Sequence, residues 1–115
     1  MVPLTGSNKF KTAVFISGTG SNLKSLIKFS ITKKSPIYIS LIVTNNSKAK
    51  GLVFANAYKI KKKIYNFRDK KLAEKKILLE LKKSNICIIC LAGFMKILSK
   101  SFIKNFKGKI LNIHP

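Results

Sequence analysis

A three-layer α/β domain, with a mainly parallel sheet covered by helices on both faces, is the fold this sequence predicts. Three observations carry it. Short apolar runs alternate with longer amphipathic segments along the whole chain. The connections between successive runs exceed about ten residues, the length that a parallel crossover needs. The run Ile86-Cys87-Ile88-Ile89-Cys90-Leu91 is apolar at every position, as in a strand buried on both faces.

The elements follow in order. Residues 1 to 11, with Pro3, Gly6, Ser7 and Asn8, read as a loose lead-in, and residues 12 to 115 as one domain without repeats or linkers. Thr12 to Ile16 is the first strand. Leu23, Leu26, Ile27 and Ile31 recur at helical spacing and predict a helix from Ser21 to about Thr32. Pro36 interrupts, and the β-branched run Ile37 to Val43 is the second strand. A helix from about Ala49 to Lys61 and a short strand over Ile64 to Phe67 come next. Asp69 is placed to cap a helix in which Ala73, Ile77 and Leu81 stack at i, i+4. Ile86 to Leu91 is the central buried strand. A short helix begins near Ser99 with Phe102, Ile103 and Phe106 inward, and Lys109 to His114 forms the last strand after Gly108.

Composition excludes several chemistries. The 115 residues carry a formal charge of +21, which invites a nucleic-acid reading. All 24 basic residues except Arg68 are lysine, however, and they are scattered, whereas forks for bases and phosphates are built from arginine. A solvated lysine surface is the better reading, with no specific nucleic acid as partner. Asp69, Glu74 and Glu80 are the only acids and fall in one predicted helix, so neither a carboxylate metal site nor a paired-carboxylate mechanism can be built. Cys87 and Cys90 have the spacing of a redox or zinc half-motif, yet three apart on a strand means opposite faces. Buried free thiols fit better, in a reducing compartment. No apolar run approaches the ~20 residues of a membrane span, and Met1 to Lys11 lacks the apolar core of a secretory signal. A cytoplasmic protein without membrane partners is expected.

In such a sheet ligands bind outside the carboxyl ends of the strands. The loops after Ile16, Val43, Leu91 and Ile113 then share one rim. Gly18-Thr19-Gly20-Ser21-Asn22 opens the first helix, where glycines allow close backbone approach and free N–H groups attract a phosphate. It lacks the third glycine of a dinucleotide fingerprint and the Gly-Lys-Ser/Thr ending of a Walker loop. A phosphomonoester cradle and a structural tight turn both remain open. Asn112 and His114, two apart on a strand, project to one face. They form either a catalytic amide and proton-transfer pair or a strand-end cap.

Three segments resemble the successive signatures of the phosphoribosylglycinamide formyltransferases: Ile16-Ser17-Gly18-Thr19-Gly20-Ser21-Asn22-Leu23, Leu91-Ala92-Gly93-Phe94-Met95-Lys96-Ile97-Leu98-Ser99 and Leu111-Asn112-Ile113-His114-Pro115. The resemblance implies a Rossmann-like formyltransferase fold, truncated on its C-terminal side. It implies transfer of a formyl group from 10-formyltetrahydrofolate to glycinamide ribonucleotide in purine synthesis, without a metal, by a monomer or weak homodimer. Gly20, Ser21 and Asn22 would hold the phosphoribosyl end, and Met95, Lys96, Ile97 and Leu98 would contact folate. Asn112 would bind the formyl oxygen beside the folate, and His114 would stabilise charge and move the proton. Lys71 loosely matches a folate-contacting arginine, keeping the charge and losing the fork. The match covers about the N-terminal half of a typical member, and places the family's catalytic aspartate beyond Pro115. Little transfer by these residues alone is the expectation. A non-catalytic remnant that binds phosphoribosyl compounds and a basic nucleic-acid binder are the alternatives.

Overall fold

A computed structural model describes residues 9–113. Five strands, β1 (Phe10–Ile16), β2 (Ile37–Thr44), β3 (Lys61–Ile64), β4 (Ile88–Ala92) and β5 (Lys109–Ile113), form one sheet in the order β3-β2-β1-β4-β5. Every pairing is parallel. Four helices make the crossovers: α1 (Ser21–Ile31), α2 (Leu52–Ala57), α3 (Lys70–Lys83) and α4 (Lys100–Asn105).

The three-layer expectation holds, for a reason visible in β1. Ala13 and Phe15 join Ile77 and Leu81 of α3 and Phe102 of α4 in one core, while Val14 and Ile16 join Leu23 and Ile27 of α1 and Ala55 of α2 in the other. Successive side chains on a strand alternate faces, so a strand with helices on both sides is apolar throughout. Burying a side chain the size of Phe15 or Leu23 contributes ~1.5–3 kcal/mol, and both are fully buried. The strand order reverses between β1 and β4, a topological switch point, and the crevice there is where such folds bind ligands.

Several boundaries differ from those the sequence predicts. β1 begins at Phe10, and the preceding Lys9 is buried, its Nζ donating to the carbonyls of Ser30 and Thr32 at 2.6 and 2.7 Å. A cation thereby satisfies carbonyls at the end of α1. α2 is only six residues long instead of running from Ala49 to Lys61, because Gly51 starts it and Lys59, at φ 56, ends it. β3 is Lys61–Ile64, upstream of the expected Ile64 to Phe67. β4 starts at Ile88 and reaches Ala92, and Ile103, expected inward on α4, is 53% exposed. His114, read as the end of the last strand, lies outside the described residues, as do residues 1–8 and Pro115.

Asp69 does cap α3, accepting from the Leu72 N–H, and Ser99 caps α4 through the Phe102 N–H. The other two acids are also committed. Glu74 accepts from both the N–H and the hydroxyl of Ser99 at 2.8 and 2.6 Å. Glu80 accepts from Lys61 Nζ at 2.9 Å and from the Ser84 hydroxyl, with Lys63 at 3.8 Å. Burial alone would raise the Glu80 carboxyl, but the hydrogen bonds from Lys61 and Ser84 and the two lysine charges outweigh it and hold it below the ordinary range. Cys90 is buried, but Cys87 is only half-buried, just before β4. Burial pushes both thiols up, away from the reactive thiolate form.

Candidate functional site at the topological switch point

The site is assembled where β1 and β4 end side by side. After Ile16 the chain passes through Ser17 and turns at Gly20, which takes the left-handed conformation (φ 76) as the N-cap of α1. A side chain at Gly20 would stand 2.7 Å from the Gly51 Cα, so two glycines let the β1–α1 loop touch the start of α2. The Gly51 N–H donates to the Gly18 carbonyl at 2.9 Å and locks the two turns together. Ser21 is the first helical residue. No side chain caps α1, and no acid lies in its first turn.

That leaves an open helix N-terminus facing a small cavity of about 180 Å³, lined by Gly18, Thr19, Gly20, Ser21 and Asn22 on one side and Ala92 and Gly93 on the other. Unpaired first-turn N–H groups and the positive end of the helix dipole favour an anion there. A side chain built on Gly18 would meet no atom within 4 Å, so the loop has open space in front of it.

Ser17 ties the neighbouring loops to this cavity. Its hydroxyl donates to Asn45 Oδ1 and accepts from the Met95 N–H at 2.8 Å, while Asn46 Nδ2 donates to the Ser17 carbonyl at 3.3 Å. The ends of β1 and β2 and the segment after β4 are thus fixed to one another by one buried serine. Phe94 packs edge-on against Phe15 and Phe67, with ring centroids 5.3 and 5.6 Å apart, which brings the loop before α3 to the same rim. No role for Ser17, Asn45, Phe67 or Phe94 was legible in the sequence. Ser17 and Phe94 fall within two of the signature segments, and Asn45 and Phe67 are marked only by standing one and three residues beyond a strand end.

Of the residues singled out in the sequence, Gly20, Ser21 and Asn22 line the cavity. Met95, Lys96 and Ile97 follow Gly93 in the chain and are not part of the cavity lining; their side chains stand in solvent, Met95 77% and Ile97 81% exposed, while Leu98 turns inward onto the Phe15 core. Asn112 lies on β5 opposite Leu91 in the register, one strand beyond β4, and is exposed. His114 lies outside the described residues. Lys71 is on α3, lining a separate groove between α3 and α4, whereas Arg68 follows Phe67 in the loop that reaches the rim. Among the described residues no three His, Cys, Asp or Glu side chains cluster to hold a metal ion, and no helix is long and apolar enough to cross a membrane.

Comparison with known proteins gives the same answer throughout. The family model described as formyl transferase matches residues 10–115. The chain is 39% identical over 110 residues to the trifunctional purine biosynthetic protein adenosine-3 of Homo sapiens, covering 93% of this chain and 11% of that protein. It is 38% identical over 108 residues to the phosphoribosylglycinamide formyltransferase of Haemophilus influenzae, covering 91% of this chain and 51% of that one. The crystal structure of phosphoribosylglycinamide formyltransferase from Brucella melitensis superposes with a TM-score of 0.87 at 37% identity, over 93% of this chain and 57% of that one. The chain therefore spans about half the length of these bacterial relatives.

Proposed function

The chain belongs to the formyl transferase family, and on that premise we propose that it supplies the acceptor-binding half of a glycinamide ribonucleotide formyltransferase, which moves a formyl group from 10-formyltetrahydrofolate to the ribonucleotide's amine. The observation that carries the reading is the uncapped, acid-free N-terminus of α1 opening on a phosphate-sized cavity at the switch point.

In this reading the backbone of Gly20, Ser21 and Asn22 takes the phosphate, and the Asn22 side chain adds a donor. The exposed faces of Met95 and Ile97 give the flat ring of the formyl donor an apolar surface beside that cradle, with Lys96 and Arg68 toward its acidic end, whereas Lys71 lines the separate groove between α3 and α4. The Asn112 amide donates to the formyl oxygen as the amine attacks the formyl carbon and charge builds on that oxygen. His114, two positions later in the sequence, carries the proton from the attacking amine toward the departing nitrogen as the old C–N bond breaks. Asp69, Glu74 and Glu80 are all engaged on α3, so none is spare to poise His114. We therefore assign acceptor binding to these residues and expect efficient turnover to need the remainder of the domain that the relatives carry.

Calorimetric titration of the chain with glycinamide ribonucleotide tests the proposal. Saturable binding is expected, with no binding of the riboside that lacks the phosphate, and at least a tenfold loss in Gly18→Val, whose side chain enters the open space before the loop. That loss is roughly 1.4 kcal/mol. Equal binding of riboside and ribonucleotide would remove the phosphate cradle from the account.

A further inference from the structure

One buried hydroxyl joins the two segments that the formyl-transfer reading gives to acceptor and donor. Ser17 is 8% exposed and stands between Ile16, the last residue of β1, and Gly18, the first residue of the cavity lining. A serine hydroxyl has one proton to give and lone pairs to receive with. Here the proton goes to Asn45 Oδ1, just after β2, and a lone pair takes the Met95 N–H at 2.8 Å. Asn45 thereby fixes the hydroxyl, and the hydroxyl fixes Met95. The Ser17 carbonyl is held as well, by Asn46 Nδ2 at 3.3 Å.

On the other side of this bond, Gly93 turns the chain in the left-handed conformation (φ 75) directly after β4, and Phe94 packs against Phe15 and Phe67. Met95 follows with its N–H on Ser17 and its side chain in solvent. Among the described residues the next hydrogen-bonded tether of this segment is Ser99, whose N–H and hydroxyl donate to Glu74. Every group in this network lies between residues 15 and 99, so it is complete within the described residues. Ser17 is not part of the cavity lining. Its side chain acts through Met95, and such placement matters because a misplacement of about 1 Å between reacting groups costs on the order of 100-fold in rate.

We propose that Ser17 is a positioning residue for formyl transfer: its hydroxyl sets the place of the donor surface at Met95 and Ile97 relative to the acceptor cradle at Gly20, Ser21 and Asn22, and transmits occupancy of the cradle to Met95. The inference rests on the acceptor and donor assignments made above.

The test is amide-resolved NMR on the full chain and its Ser17→Ala variant, with and without glycinamide ribonucleotide. In Ser17→Ala, hydrogen exchange at the Met95 amide should rise about tenfold or more, while the Lys24 amide, bonded to the Gly20 carbonyl, and the Ser99 amide, bonded to Glu74, keep their native rates. The ribonucleotide should bind within about twofold of its native affinity and still shift the amides of residues 18–22, but its shift at Met95 should be lost. Ser17→Thr, which keeps the hydroxyl, should restore both the exchange rate and the shift. Unchanged exchange at Met95 in Ser17→Ala, or a Met95 shift that survives it, would overturn the proposal. So would equal loss of protection at Met95, Lys24 and Ser99, or a fall of about tenfold in ribonucleotide affinity, since either makes Ser17 a general support of the loop. Failure of the native chain to bind the ribonucleotide would end the acceptor reading and this proposal together. Binding at residues 18–22 with Met95 independent of Ser17 would end this proposal alone.

Discussion

Gly20 and Gly51 stand back to back, and this decides how the phosphate loop can be probed. A Cβ on Gly20 would lie 2.7 Å from the Gly51 Cα, in a backbone with φ 76 that L side chains avoid. Gly20→Ala should therefore cost about 2–4 kcal/mol of stability by denaturant unfolding, the sum of left-handed strain and overpacking. Gly18→Val, with no atom near its new side chain, should stay within about 0.5 kcal/mol of the native chain while losing the ligand. Equal destabilisation by the two changes would show the loop to be a structural turn. At Glu80 the prediction concerns pH. Its carboxyl is held below its unfolded value, so the stability it contributes is complete above that value and is lost as pH falls through the native one. Glu80→Gln should cost on the order of 1.5 kcal/mol at pH ~7, the low end for a hydrogen bond to a charged group because Lys61 is half exposed. The gap to the native chain should close on acidification below the ordinary glutamate range. A constant gap down to pH ~2.5 would refute the pairing.

At the scale of elements, α2 and α3 end in the same way on different residues. The Ile60 N–H reaches back to the Ala55 carbonyl and the Ile86 N–H to the Leu81 carbonyl, with Lys59 and Asn85 at φ 56 between. Asparagine adopts that conformation at less cost than lysine. Lys59→Gly should thus raise the melting free energy by about 0.5–1 kcal/mol, the relief of strain less the extra chain entropy of glycine. No gain on thermal melting would contradict the reading of that turn. The same residue explains why α2 was overextended from sequence: the stop carries no glycine or proline. β3 was misplaced for a related reason. Lys61, Lys62 and Lys63 do not read as a strand, yet on this edge strand they alternate, Lys61 and Lys63 toward Glu80 of α3 and Lys62 toward Asn56 of α2. Charged residues are what a sheet edge accommodates. By contrast β1, α1, β2, α3 and β4 were legible, because burial on both faces or on one stripe writes itself into the apolar period. The glycine loop was legible as a feature. Its tether through Ser17 to Met95 was not, since a hydrogen bond between residues far apart in sequence leaves no local pattern.

For the whole molecule, we propose that a lysine-rich α/β sheet of the formyl transferase family keeps one selective anion site, at the open end of α1, among many nonselective charges. Net charge alone would draw a phosphate compound to any of the exposed lysines, weakly and with steep salt dependence. Pocket geometry would draw it to one place. Amide-resolved NMR during titration with glycinamide ribonucleotide separates the two outcomes. Saturating shifts are expected, confined to the amides of residues 18–23 and of Gly93 and Met95, preserved on raising salt and absent in Gly18→Val. Shifts scattered over the lysines of β3 and α3, fading together as salt is added, would contradict it.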